Sequence, residues 1–207
     1  NSHAHYVLEE RMAEDPKTVN QFLTDLLEKA KPAAQLEFKQ LEELAAKDGI
    51  TSIEKWDGSY YAEKLKKALF DLDDEQLKPY FKLENVVKGV FEIAGKLFDL
   101  TLKKVKDIGT YHEDVQTYDV FDKNGEFVAL FYADFFPRKG KRNGAWMTSY
   151  KSQWKEGNAN SRPHVSIVCN FTKPTNSKPS LLTFNEVTTL FHEFGHALHG
   201  MLANTRF

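Results

Sequence analysis

The chain has 207 residues, 41% of them hydrophobic, which suffices to bury a core in one large or two small domains. Charged residues make up 28% and the net charge is −2, so the totals carry no electrostatic footprint for nucleic acid or an anionic membrane surface. A single cysteine, Cys169, excludes an internal disulfide framework, and no run approaches the ~18 apolar residues of a membrane span. The chain opens Asn1-Ser2-His3 with no Met, basic leader or apolar leader, so the expectation is an internal piece of a longer soluble polypeptide. Compartment is left open, with the bridge-free composition favouring the cytoplasm over the periplasm.

Residues 1–100 read as a helical bundle region. Asp15 before Pro16 predicts a capped helix start, followed at helical spacing by Val19, Phe22, Leu23, Leu26 and Leu27. Breaks are predicted at Lys31-Pro32, Asp48-Gly49 and Asp57-Gly58, with a new helix from Pro32 burying Leu36, Leu41 and Leu44. Helical spacing returns over residues 60–70 and 84–100, through Leu65, Leu69, Val86, Val90, Ile93 and Leu97.

Residues 101–207 read as a small β-sheet, a Gly/Lys-rich loop and a final helix. Asn124-Gly125 lies between two β-branched and aromatic runs and predicts a hairpin of strands 116–122 and 126–134. A third strand is expected at 164–171, after a loop over 137–162 rich in Gly, Lys and Arg. Thr183-Phe184-Asn185-Glu186 has the pattern of a capping box and starts the last helix. The predicted class is therefore mainly α with a small β-sheet, α+β.

The chemistry lies in that helix, at His192-Glu193-Phe194-Gly195-His196. At about 100° per residue, Val187, Leu190, Phe191, Phe194, Leu198 and Met201 share one side, and His192, His196 and His199 lie nearly opposite. Two histidines four residues apart stand one turn above the other, so both imidazoles reach a single zinc ion at ~2.0–2.1 Å. Glu193 is rotated off that axis, where its carboxylate can serve a water rather than the metal. Zinc lowers the pKa of its bound water from about 15.7 toward ~7, and a neighbouring carboxylate can take the proton and pass it to a leaving amine. By composition alone the pattern arises in roughly one in a hundred or fewer chains of this length, which leaves a solvated histidine pair as the bland alternative.

A catalytic zinc site has three protein ligands plus water, so a third is needed. The metzincin continuation is excluded, because the positions that would hold its Gly and third His hold His199 and Leu202. Cys169 is a candidate on the pattern of cysteine-ligated hydrolases, but it sits in an apolar strand and reads as buried. In the remaining class the third ligand is a glutamate on a later helix, expected beyond Phe207. The isolated chain is then expected to hold zinc weakly or not at all and to be inactive.

The residues around the motif carry a resemblance. Leu190-Phe-His-Glu-Phe-Gly-His-Ala-Leu-His199, with Pro179-Ser-Leu-Leu-Thr-Phe-Asn-Glu-Val187 before it, resembles the M3 family of zinc oligopeptidases. Asp134-Phe-Phe-Pro-Arg-Lys-Gly-Lys-Arg-Asn-Gly-Ala-Trp-Met147 is similar to that family's glycine-rich loop, and Asn170-Phe-Thr-Lys-Pro174 to its strand before the zinc helix. Trp56-Asp57, Tyr60-Tyr61 and His3-Ala-His-Tyr-Val-Leu-Glu-Glu-Arg-Met12 extend the likeness upstream, especially to the peptidyl-dipeptidase branch. The resemblance implies part of a helical channel fold with a zincin-like active-site helix, acting on short peptides and needing the rest of its own polypeptide. It implies His192 and His196 as zinc ligands, Glu193 as catalytic base, and His199 as an additional histidine that is not a ligand.

The expected function is zinc-dependent hydrolysis of short oligopeptides, by a peptidyl-dipeptidase or an oligoendopeptidase, with neither nucleic acid nor membrane as partner. The rivals are a peptide-binding or scaffold module with an incomplete zinc site, and an unrelated zinc hydrolase such as an aminopeptidase. A peptide is expected to add as a strand at 127–134 or 165–171, each of which reads equally as an ordinary internal strand. Residues 139–144 can be read as an anion-binding loop, although a mobile loop beside the substrate or a solvated turn fits the pattern better.

Overall fold

The computed structural model describes residues 2–71 and 74–206. It is largely helical with a small mixed sheet, as the sequence predicts, and divides into two compact units, Asn1–Leu72 and Asp73–Phe207.

The first unit is helical. The short α1, His3–Leu8, precedes α2, Pro16–Lys47, whose start is fixed by Asp15 Oδ1 accepting from Thr18 N at 2.7 Å. The expected break at Pro32 is absent, and α2 runs straight through it as one helix of 32 residues. A proline inside a helix costs one hydrogen bond and about 3 kcal/mol. Here it is flanked by strong helix formers, and the surrounding turns are solvent-exposed, where water can take over the carbonyl it releases. α3, Gly58–Phe70, packs on α2 and buries Ala45 and Tyr61, with Lys64 pairing to Asp48.

Leu36, expected in the core, is 67% exposed, whereas Leu41 and Leu44 are half-buried. Phe22, Leu23, Leu26 and Leu27 are exposed as well. The reason is geometric: α3 is shorter than α2 and covers only part of its apolar stripe.

The second unit is built on a five-stranded sheet in the order β1-β2-β3-β7-β4. Its strands are β1 (Thr101–Val105), β2 (Gln116–Phe121), β3 (Phe127–Asp134), β4 (Trp146–Lys151) and β7 (His164–Val168). Between β4 and β7 stands a separate hairpin of β5 (Trp154–Glu156) and β6 (Ala159–Ser161).

The β2–β3 turn is the one the sequence predicts. Gly125 takes φ +81°, a conformation that costs glycine little, and Asp122 Oδ1 accepts from the amides of Asn124 and Glu126. Strands β2 and β3 pair antiparallel, β3 and β7 parallel, and β7 and β4 antiparallel. Both β3 and β7 are therefore internal, which removes them as sites for an added peptide strand because their backbone groups are already paired on both sides. The open edges of this sheet are β1 and β4.

Helices α5 (Leu83–Phe98) and α6 (Phe184–Met201) are joined to one sheet face through aromatic contacts. Phe91 of α5 meets Phe194 of α6, and both meet Phe131 of β3. Between α3 and α5 lie α4, Asp74–Leu77, and a 3₁₀ turn, Lys78–Tyr80. No helix among the described residues is long and apolar enough to cross a membrane.

The connection from β3 to β4 is pinned by Asp134, whose side chain is 1% exposed. It accepts from both terminal nitrogens of Arg138 at 2.8 Å, from Lys141 Nζ at 2.9 Å and from the Tyr111 hydroxyl at 2.9 Å. Lys141 Nζ also donates to the Phe136 carbonyl at 2.7 Å, so this lysine faces inward. Asn170 Nδ2 donates to the carbonyls of Arg142 and Gly144, and the Arg142 guanidinium lies over the Trp146 ring. The basic side chains of residues 138–142 are thus largely spent within the loop, which is braced rather than open to an anion.

Burial alone would raise the Asp134 carboxyl, but hydrogen bonds from Arg138, Lys141 and Tyr111 outweigh it and hold the group below its ordinary value. A depressed carboxyl contributes stability that is complete above the unfolded value of ~3.9 and is lost as pH falls through the folded value. Asp134→Asn, which strands the buried Lys141 ammonium and the half-buried Arg138 guanidinium, is expected to destabilise the unit by roughly 3 kcal/mol in urea denaturation. It should also remove part of the stability loss seen below pH ~4. Equal denaturation midpoints for the two proteins would contradict this account.

Candidate metal centre

α6 starts where the sequence places it. Thr183 Oγ1 accepts from Glu186 N at 3.1 Å and Glu186 Oε2 accepts from Thr183 N at 2.8 Å, the two reciprocal bonds of a capping box. The approach to this end is fixed by Leu182 N donating to Phe81 O, and Leu83 N to Ser180 O.

Val187, Leu190, Phe194, Ala197 and Met201 bury one side of α6 against the sheet, and Glu193 is buried with them at 8% exposure. Phe191, expected on this face, is 38% exposed and Leu198 is half-buried. The packed arc is therefore turned from the one predicted, toward Glu193 and Ala197. Its consequence is chemical: Glu193 sits at the border between the packed face and the histidine face.

His192, His196 and His199 are all exposed. The first two converge: their Nε2 atoms are 3.1 Å apart, with ring centroids 4.8 Å apart and planes at 82°. Two nitrogens bound at ~2.0–2.1 Å to one tetrahedral ion lie ~3.3–3.4 Å apart. The observed pair is within a few tenths of an ångström of that bite. It can share a proton as an N–H···N bond or a cation as a chelate, and imidazole nitrogen suits zinc.

Among the described residues, no group of three or more His, Cys, Asp or Glu is arranged to hold a metal ion. Cys169, weighed as a third ligand, is fully buried, and burial followed by the charge of Glu193 pushes its thiol up to about 12. A thiol in that environment stays protonated, and among the described residues it forms no metal-holding group with the histidine pair. His199 lies on the histidine side but forms no such group with the pair. His112 accepts the Asp114 amide through Nδ1, and His5 accepts the amide of Ser2, so both are used in local turns.

The seat of α6 is set at Gly200. A Cβ there would lie 3.2 Å from Val165 Cγ2, 3.7 Å from Met147 Cε and 3.8 Å from Ser149 Oγ, so the helix lies close on β7 and β4. At Gly195, beside the histidines, an added Cβ meets nothing within 4 Å. Sequence reasoning did not single out the groups at the far end of α6. Arg162 and Gln153 bond the backbone of residues 201–205. In the sequence they are ordinary polar loop residues some 40 to 50 positions from their partners.

The profile of Peptidase family M3 matches residues 1–207. The chain is 42% identical over 194 residues to oligopeptidase A of Escherichia coli (strain K12), covering 93% of this chain and 28% of that protein. It is 39% identical over 207 residues to the dipeptidyl carboxypeptidase of the same organism, covering 99% and 30%. To saccharolysin of Saccharomyces cerevisiae (strain ATCC 204508 / S288c) it is 34% identical over 222 residues, covering 100% and 31%. The chain thus spans a little under a third of the length of each of these relatives.

The packing at the two glycines gives opposite expectations. Gly200→Val should lower stability by about 1–3 kcal/mol, because the new side chain must push α6 off β7 and β4. Gly195→Ala should raise it by up to about 1 kcal/mol through helix propensity. Thermal denaturation of both variants checks the pair, and two shifts of the same sign would show that α6 is not seated as described.

Proposed function

This chain belongs to peptidase family M3, and from that premise we propose that it carries the first part of a zinc-dependent active site that hydrolyses short oligopeptides. The observation that carries the reading is the convergence of the His192 and His196 Nε2 atoms at 3.1 Å on the solvent side of a helix whose opposite side is packed. His192 and His196 would hold the ion through these nitrogens, with a third ligand from the remainder of the polypeptide. A zinc ion, when bound, supplies the Lewis acidity that acidifies a water and polarises a peptide carbonyl.

The protein's own groups do the rest. Glu193, adjacent to His192, takes the proton of the attacking water on its carboxylate and returns it to the departing amine. Its burial at the edge of the packed face limits the access of bulk water to that carboxylate. The sheet edge that lies against α6 is β4, and its unpaired outer backbone can take an extended peptide as an added strand. The names of the relatives, oligopeptidase and dipeptidyl carboxypeptidase, support a peptide substrate and leave endopeptidase and dipeptidyl carboxypeptidase as the two forms of the reading.

The rival, a peptide-binding module with an incomplete metal site, draws on the two-histidine donor set found among the described residues. Zinc quantification beside peptide cleavage separates the two. The intact protein is expected to hold one zinc per chain and to cleave short peptides, whereas residues 1–207 alone should hold zinc weakly and give no turnover.

In the intact protein, Glu193→Gln should retain zinc while kcat falls roughly 10²–10⁴-fold, the scale of general-base catalysis. His192→Ala or His196→Ala should lose both zinc and activity. An intact protein that binds peptides without cleaving them would establish the module instead, and substantial turnover in Glu193→Gln would remove that carboxylate from its role.

A further inference from the structure

The end of α6 farthest from its capping box is held by a single cation. Arg162, half-buried in the connection between β6 and β7, donates from Nε to the Val128 carbonyl at 2.7 Å. Its Nη2 donates to the Met201 carbonyl at 3.0 Å, and its Nη1 to the Ala203 carbonyl at 3.1 Å and to Asn160 Oδ1 at 3.5 Å. One guanidinium therefore joins β3, the β5–β6 hairpin and the last turn of the helix that carries the histidines.

The four oxygens it meets are all neutral. The last carbonyls of a helix have no partner within it and carry the negative end of its dipole, so a half-buried cation that bonds them is favourable there. Gln153, 7% exposed, adds three bonds to Thr205 just beyond, with Nε2 donating to Thr205 O at 2.8 Å and Oε1 accepting from Thr205 N at 2.9 Å and from Thr205 Oγ1 at 3.3 Å. Lysine cannot replace the arginine, since an ammonium on a flexible stem lacks the planar fork that spans separated acceptors.

We infer that Arg162 is a positioning residue for the metal-binding helix, fixing the lengthwise seat of α6 on the sheet so that His192 and His196 hold their mutual geometry. This rests on the reading of those histidines as zinc ligands. The capping box anchors the start of the helix and Arg162 its end, and the histidines lie between the two anchors.

The test uses Arg162→Lys and Arg162→Met in the intact protein. Zinc release into excess chelator is expected to be at least tenfold faster, and kcat at least tenfold lower with KM within twofold. Amide hydrogen exchange over residues 197–203 should be at least tenfold faster, with exchange in β2 and β3 unchanged. Gln153→Ala, which cuts the bonds to Thr205 and a long one to Asn160 Oδ1 but leaves the bonds of Arg162 to the helix end, should give about threefold effects in release and exchange, and it decides the matter if the arginine variants fail to fold.

Folded variants whose zinc release and helix-end exchange match the wild type would overturn the assignment. So would an acceleration of exchange spread evenly over the unit, which is what a residue of merely general structural importance would give. If the wild-type protein binds no zinc, the metal reading fails by itself, and the exchange at the helix end still decides the role of Arg162.

Discussion

A helix lying on a sheet has one rotation about its own axis, and in α6 that rotation is set by which side chains are driven from water. Val187, Leu190, Phe194, Ala197 and Met201 press into β3, β4 and β7, and the aromatic contact of Phe194 with Phe131 and Phe91 locks the arrangement. Burying a side chain of this size is worth about 1.5–3 kcal/mol, so several together outweigh any preference of the exposed residues for another orientation. His192 and His196 are then left facing solvent one turn apart, and Glu193 falls at the boundary. The chemistry of the outer face is a by-product of the packing of the inner one.

The same economy governs the loop that leads into the sheet edge. A chain segment with Lys139, Lys141, Arg138 and Arg142 carries enough positive charge to repel itself into an open conformation. Asp134 prevents this by drawing in Arg138 and Lys141, while Trp146 takes the face of Arg142. The desolvated carboxylate is tolerable because three donors meet it, and Tyr111 ties the loop to the preceding β1–β2 connection. What enters β4 is therefore a fixed strand, and the edge beside α6 has a defined register.

Much of this was legible in the sequence where one local rule spoke alone. Asn124-Gly125 specified a turn, Thr183 with Glu186 specified a helix start, and the four-residue spacing of His192 and His196 specified convergence. Legibility failed where the deciding contact is distant. Strands β1 and β4 carry too little alternation to be recognised, and they exist because β2 and β7 offer them backbone partners. Pro32 predicts a break, yet the helix formers around it prevail, and the spacing of Leu36 predicts core, yet α3 stops short of it. The rotation of α6 toward Glu193 depends on the shape of the sheet beneath, which no periodicity of the helix contains.

The parallel pairing of β3 with β7 has a further effect, on the order of assembly. Leu130 stands opposite His164, and the intervening chain must first travel out through β4 and the β5–β6 hairpin before it can return. Loop closure over such a separation must be met before any ladder bond compensates it, so contacts of this kind form slowly. The β1–β2–β3 meander can form early from near neighbours. The floor on which α6 lies, by contrast, exists only once β7 has docked, so the two histidines acquire their setting among the last events of folding.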